Sequence, residues 1–415
     1  MKYANSLKYL NSFELAKDPA DISVKRVSEL CARLGRINIG TPCICLPDGS
    51  AGHACAVMLE SVIKCSGHTV GRIAAFHGYD SRLSVFINGE SATIENYNKA
   101  VAEIKGAVNK SPDEGYTKEE IIFVLGLLLS KLSECEYIIL EGLCSGDHPL
   151  DSVCAPYDLI VMPTVYENDG APARVKMLCD AIRRGTREVV SGNQKSEVYN
   201  RISNACVLNG VRLNIPVKAQ FEVTEMTSIK MTFNYGGREG YLVKSPSYLL
   251  RDCAMTVIEC ALSLRRRGVK MPWSGITAGL AAATNMGCYE MISVSPQIII
   301  DTAGCLEELQ LVLKTGLDIF GDEEVNDFSI CIPESYLPML EIMNGRRIKE
   351  LIVLTDKESV EIGEYKLEKL TLVSDLESAA KAVCNLYAQR EDVVCCGDAR
   401  FAHFMKIGIL KILNF

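Results

Sequence analysis

The chain lacks the marks of several protein classes. No apolar run reaches the roughly 20 residues needed to span a bilayer, and the opening MKYANSLKYLNSFELAKD is polar and amphipathic, unlike a signal peptide. A basic surplus is missing too: lysine and arginine total 44 against 52 aspartates and glutamates, for a net charge of −8. That excludes a general field for nucleic acid or an anionic membrane. Low-complexity segments, charge runs and fixed-period repeats are absent, which argues against linker-rich and solenoid architectures. Cysteine is abundant, at 18 residues, but scattered through apolar periodic segments without the density of a disulfide scaffold. These thiols read as small core residues of a cytoplasmic protein kept reduced. What remains is a composition of 48% hydrophobic and 23% charged residues, that of a globular protein. At 415 residues the chain is long for one core, so about two or three domains are expected.

One stretch organises the rest, ICLPDGSAGHACAVMLESVIKCSGHTVG, from Ile44 to Gly71. Cys43 to Leu46 is a short apolar run, the pattern of a buried parallel strand. Pro47 to Gly52 is a turn of small residues, and from His53 the apolar positions Ala56, Leu59, Val62 and Ile63 recur at helical spacing, with Gly67 as the stop. Strand, small-residue loop and helix is the shape that cradles a phosphate, since a helix N-terminus presents free N–H groups and a positive dipole end. The shape is equally that of an ordinary βα turn. A phosphate loop needs a lysine and a Ser/Thr for magnesium, and no lysine occurs between Arg36 and Ile63.

Further along, residues 1–35 read as helical. Val70–Ala75 reads as a strand, and Thr93 caps a helix over 94–109. Thr117 with Glu120 forms a capping box ahead of IIFVLGLLLSKL. Tyr137–Leu140 and Asp158–Pro163 are continuous apolar runs, and buried strands separated by helices predict a parallel sheet covered on both faces. Val217 to Val243 alternates around Asn234-Tyr235-Gly236-Gly237, a hairpin signal. After about residue 292 the strand–helix pattern restarts, with QIIID at 297–301, a helix from Tyr336, and Val393–Cys396 near the end. The expected domains are 1–291 and 292–415.

Read together, these pieces resemble the folylpolyglutamate synthase/dihydrofolate synthase branch of the Mur ligase superfamily. GHTVG, then His77 and INGE at 87–90, resembles that family's G-x-x-V-G…S-P-H…I-N-G-E run. Leu140-Glu141-Gly142 with Leu150-Asp151 resembles LE-x-GLGGRLD, and Ile300-Asp301-Thr302-Ala303 sits where the family has L-D-G-A-H-N. The resemblance implies an α/β protein of two domains, a large P-loop-type N-terminal domain with a parallel sheet and a smaller Rossmann-like C-terminal domain. It implies ATP and magnesium as cofactors, and a reaction in which a carboxylate is activated as an acyl phosphate and attacked by an amine to form an amide.

The machinery carries over unevenly. Against the family's G-T-N-G-K-G-S-T loop stand Asp48, Gly49, Ser50, Ala51, Gly52, His53, Ala54 and Cys55, with Gly52 at the lysine position and Ala54 at the magnesium-binding serine. Glu141 takes the place of the magnesium carboxylate, and Asp301 is retained on the nucleotide side. The second metal histidine falls near Asn168, the carbamylated lysine near Thr186, and H-Q-x-x-N on Tyr248 to Asp252, so none of the three is kept. The arginine of P-G-R falls on Cys288. Groups for phosphate charge, metal and adenosine are thus lost together, which impairs a reaction that depends on charge neutralisation.

Three readings follow. The chain is a non-catalytic or repurposed homologue with a binding or regulatory role, acting on a protein partner such as an active ligase or on a small ligand in a cleft between domains. Alternatively it is an ATP-dependent carboxylate–amine ligase with altered phosphate and metal contacts. The third is a different enzyme using a pocket near Glu141, with His77, Cys144, Asp147, His148 and Asp151 as candidates. Cys43, Cys45, His53 and Cys55 lack the spacing of a zinc site and read as core.

Overall fold

The computed structural model describes residues 2–74, 81–110, 115–142, 149–166, 171–183, 185–284, 287–320, 328–343 and 347–414. Its chain falls into two compact units, one drawn from 1–165, 169–218 and 253–283, the other from 166–168, 219–252 and 284–415.

The first unit opens with helices α1 (Tyr3–Leu10) and α2 (Val24–Arg33), followed by strand β1 (Cys43–Leu46), α3 (Ser50–Cys65) and β2 (Val70–Ala74). Then come β3 (Val85–Ile87), β4 (Glu90–Ser91), α4 (Ile94–Val108), α5 (Lys118–Leu132), β5 (Tyr137–Glu141), β6 (Leu159–Met162), α6 (Ala171–Ala181), β7 (Glu188–Ser191), α7 (Ser196–Asn209) and β8 (Arg212–Asn214). The strands form one sheet in the order β4-β3-β2-β5-β1-β6-β7-β8. From β2 to β8 all neighbours are parallel, while β3 and β4 add an antiparallel edge. β1, β5, β6 and β7 are buried at every position, which is why CICL, YIIL and LIVM read as continuous apolar runs.

Helix α5 is buried without a break from Glu120 to Ser130. Its capping box forms as expected: Thr117 Oγ1 accepts from Glu120 N at 3.4 Å, and Glu120 Oε2 accepts from Thr117 N at 3.0 Å. Glu120 is buried and also takes a bidentate pair from Arg26, at 2.9 and 2.6 Å, so the cap ties α5 to the start of α2.

Three antiparallel strands, β9 (Phe221–Thr227), β10 (Lys230–Tyr235) and β11 (Arg238–Val243), form a small sheet in the second unit. The Gly236-Gly237 turn joins the last two, both glycines at positive φ. Helix α8 (Tyr248–Arg266) and helix α9 (Trp273–Ala282) follow. In the first unit α9 lies directly on α3: a Cβ on Gly279 would sit 2.4 Å from Val62 Cα.

The rest of the second unit is β12 (Glu290–Val294), β13 (Gln297–Asp301), α10 (Leu306–Phe320), β14 (Ser329–Pro333), β15 (Arg347–Leu354), β16 (Lys366–Val373), α11 (Leu376–Ala388), β17 (Val393–Cys396) and α12 (Ala399–Leu413). The sheet order is β12-β13-β17-β14-β15-β16, parallel except for β12. The fold class is the expected α/β, with a large parallel-rich sheet and a second, smaller one.

Three local expectations change. Residues 11–23 do not continue the first helix; Asp21 Oδ2 accepts from the amides of Lys17 and Asp18, at 2.9 and 3.0 Å, holding a turn ahead of Pro19. The helix expected from Tyr336 is a 3₁₀ segment, Glu334–Met343, with Pro338 inside it, because proline removes an N–H and crowds the preceding turn. Helix α3 begins at Ser50 rather than His53, so much of the small-residue loop is already helix. Among the described residues no helix is long and apolar enough to cross a membrane.

Candidate functional site

The stretch singled out in the sequence leaves β1 through Pro47, Asp48 and Gly49 and enters α3. Gly49 has φ of +99°, a conformation that L side chains rarely adopt, and it stands at the N-cap without a capping side chain. Asp48 Oδ1 accepts from Gly49 N at 2.7 Å. The first helical bond runs from His53 N to Gly49 O at 2.8 Å. Ser50, Ala51 and Gly52 are buried. A Cβ on Gly52 would lie 2.1 Å from Pro47 O, closer than any real contact. The first turn is also packed from outside, Cys253 Sγ of α8 lying 3.6 Å from Ala51 O. The turn is therefore shut down onto its own backbone at the position where the resemblance would put a lysine.

Glu141 ends β5, level with Leu46 of β1 and Ala74 of β2, so its carboxylate sits at the C-terminal edge of the sheet beside the start of α3. Two basic side chains claim it. His53 Nδ1 is 2.6 Å from Oε1, and a guanidinium N–H of Arg72 donates to Oε2. Arg72 comes from the middle of β2 and also donates through Nε to Glu60 Oε2 at 2.7 Å. Glu60 in turn accepts from Gly89 N at 2.6 Å, and the Arg72 guanidinium lies 4.1 Å over the Phe86 ring. Arg72, Glu60 and Glu141 are all buried. His53 and Glu60 lie seven residues apart, two helical turns, which puts both on the face of α3 that meets β2 and β5.

The charges can be counted. Glu60 and Glu141 contribute two negatives and Arg72 one positive, so the cluster is neutral with His53 as imidazolium and carries one negative charge otherwise. Burial pushes the Glu141 carboxyl toward the neutral form, but the charges of His53 and Arg72 and their hydrogen bonds outweigh it and hold Glu141 down at about 2. It stays ionised across the whole neutral range. Its oxygens are taken by His53 and Arg72, and among the described residues no group of three or more His, Cys, Asp or Glu side chains could hold a metal ion.

Asp301 ends β13 in the second unit and is bound to backbone: Oδ2 accepts from Tyr289 N at 2.6 Å and Oδ1 from Ala303 N at 2.7 Å. Its carboxyl is raised to about 7, chiefly by burial and further by the charge of Glu308, against the pull of the two N–H bonds. Asp252, at the end of the segment matched to H-Q-x-x-N, accepts from Arg251 Nε at 2.8 Å and from Tyr166 OH at 2.9 Å.

Other expected positions fall differently. His77, Asp147 and His148, with Cys144 and Asn168, lie outside the described residues, and of Asp151 only the backbone is described, in a short 3₁₀ turn over Pro149–Cys154. Thr186 corrects its sequence assignment. It precedes β7 at the N-terminal edge of the sheet, since Glu188 is level with Leu159 and Leu159 with Ile44, whereas Glu141 is at the C-terminal edge. Thr186 is thus no counterpart of a group holding the same metal as Glu141. Cys288 is buried, with Ser245 Oγ donating to its carbonyl at 3.3 Å.

Sequence reasoning missed Arg72 and Glu60. The signal was present: an arginine inside VGRIAA, an apolar run destined for a covered strand, requires a carboxylate partner.

No family model matches the chain, and no curated protein sequence matches it. Solved structures do. Folylpolyglutamate synthetase from Lactobacillus casei superposes with a TM-score of 0.77 at 17% identity, covering 99% of this chain and 100% of the other. Folylpolyglutamate synthase from Thermotoga maritima gives 0.75 at 16% identity, covering 99% of this chain and 96% of the other. The Mycobacterium tuberculosis folylpolyglutamate synthase complexed with ADP gives 0.76 at 15% identity, over 99% and 98%. At such identities the likeness is one of fold, and this chain has the folylpolyglutamate synthase fold from end to end.

Proposed function

We propose that this chain is a folylpolyglutamate synthase-like protein whose nucleotide and metal site is filled by the protein's own charges, leaving a non-catalytic or repurposed homologue with a binding or regulatory role. The observation that carries this reading is the engagement of Glu141 by Arg72 and His53. A magnesium ion at Glu141 would meet a fixed guanidinium. Each pair of like unit charges at about 4 Å costs about 4 kcal/mol at an intermediate effective dielectric, and a divalent ion doubles that. The turn between β1 and α3 supports the same reading, because Gly52 has no room for a side chain and Asp48 adds an anion near the place of a triphosphate. The residues present do not fit magnesium-ATP, and they support no step of an ATP-dependent ligation. In this reading the chain acts by binding, with an active ligase or another enzyme as the class of partner.

Calorimetric titration of the purified protein with magnesium-ATP tests it. The expected result is no heat of binding up to millimolar nucleotide. Micromolar binding overturns the proposal and makes the chain an amide-forming ligase with altered phosphate and metal contacts.

A further inference from the structure

His68 stands where three connections of the first unit meet, and both nitrogens of its ring face oxygen. Nδ1 lies 2.8 Å from Glu136 Oε2, in the stretch that leads into β5, and Nε2 lies 3.0 Å from the carbonyl of Lys270, between α8 and α9. The side chain is 15% exposed, and its ring meets the Tyr137 ring edge-on with centroids 5.6 Å apart. A neutral imidazole has one N–H and one bare lone pair. Neither tautomer therefore serves both oxygens; only the imidazolium donates twice. Among the described residues the bond to His68 is the only hydrogen bond made by Lys270 or Met271, so it is the polar tie of the α8–α9 connection. The α5–β5 connection presents Glu136 to the ring, β5 presents Tyr137, and the neighbouring side chains of Lys64, Cys65, Glu134 and Lys270 are exposed. The Glu136 carboxyl is lowered, first by the hydrogen bond with His68 and further by the Thr69 N–H, while burial chiefly raises the Tyr137 phenol. Between pH 6 and 8 Glu136 stays an anion and Tyr137 neutral, in the range where an imidazole changes charge.

We propose that His68 is a proton-operated latch: as imidazolium it holds Glu136 and the Lys270 carbonyl together, and as neutral imidazole it keeps the carboxylate and lets the α8–α9 connection go. The carboxylate retains the remaining N–H because a charged acceptor makes the stronger bond, and the bare Nε2 lone pair then opposes the Lys270 carbonyl. What is released is the approach to α9, whose Gly279 rests on α3. The opening is local, one bond on an exposed connection, and it leaves the strands of the sheet paired.

Limited trypsin digestion of the full chain reads the latch at its acceptor, since Lys270 is itself a cleavage site. Rates at pH 6 and pH 8 are each normalised to cleavage of a synthetic peptide spanning 265–275. Normalised cleavage after Lys270 should rise about fivefold at pH 8, in step with the population of the open connection. The emission of Trp273, the chain's one tryptophan, whose ring lies 4.9 Å from the Arg265 guanidinium, should change over the same range. His68→Gln does not titrate and should remove the pH dependence of both signals. His403→Gln, which replaces an exposed histidine of α12, should leave both as they are. Should His68→Gln fail to fold, Glu136→Gln removes the anion that favours the imidazolium and must move both changes to lower pH. Equal normalised cleavage at the two pH values in the wild type, or a rise that His68→Gln retains, overturns the proposal.

Discussion

Arg72 sits in a strand that offers it almost no water, and both of its partners are equally buried. Removing one member of a buried ionic group strands the others, typically at about 3–5 kcal/mol, whereas replacing the whole group by neutral residues is often nearly free. Arg72→Met should therefore lower the urea midpoint strongly, and Arg72→Met combined with Glu60→Gln and Glu141→Gln should recover much of the loss. A single replacement costing under about 1 kcal/mol would mean that the carboxylates find other partners. The pH sign follows from Glu141. Its carboxyl is lowered in the folded state to about 2 from an ordinary 4.5, so the stability it contributes is complete above pH 4.5 and is lost as pH falls toward 2. Equilibrium unfolding followed between pH 5 and 2 should show that loss in the wild type and much less of it in Glu141→Gln. This cluster was only half legible in the sequence. Glu141 and His53 stood at positions set by the resemblance, but their pairing across 88 residues is a consequence of strand order, which local pattern does not encode.

Elements were more legible where one residue decides them. Thr117 and Glu120 announced the start of α5, and Thr93, whose Oγ1 accepts from Asn96 N at 3.2 Å, that of α4. Short edge strands such as β8 and β4 were invisible, because three or two residues with one covered neighbour leave no periodicity to read. Close helix contacts were hidden as well. Gly279 in α9 lies against the backbone of α3, where a Cβ would come within 2.4 Å of Val62 Cα, and Gly275 lies against the residue that caps α3, where a Cβ would come within 2.8 Å of Ser66 Cα. In an open helix Gly→Ala gains about 1 kcal/mol of propensity. Here the added methyl meets backbone that cannot rotate away, so Gly279→Ala should destabilise the fold despite that gain. Thermal melting checks it: a raised melting temperature would show that α9 slides freely on α3. Gly52→Lys belongs to the same class. Restoring a lysine at that position should lower stability, because Pro47 O occupies the space, and should bring no affinity for magnesium-ATP in calorimetry.

At the scale of the molecule, the two units carry buried carboxylates of opposite sign in their response to pH. Glu141 in the first is stabilised as an anion, while Asp301 in the second is raised to about 7 from an ordinary 3.8, chiefly by burial. A carboxyl raised on folding binds its proton more tightly in the folded state. The stability it contributes is thus complete below pH 3.8 and is lost as pH rises through 7. Between pH 4.5 and 7 the first unit gains nothing further from Glu141, and the second unit loses stability at up to about 1.4 kcal/mol per pH unit. A melting curve recorded at pH 5 and again at pH 7.5 should shift down, and the shift should be confined to signals from the second unit. These could be read by exchange of the amides of β13 and β17, which pair Asp301 with Cys396. Asp301→Asn removes the titration. It also turns an amide donor toward one of the two N–H groups of Tyr289 and Ala303 that the carboxylate now accepts, so it should be less stable at pH 5 but flat from pH 5 to 7.5. A wild-type protein whose second unit is equally protected at both pH values would place the Asp301 proton elsewhere and leave its two backbone bonds as its whole role.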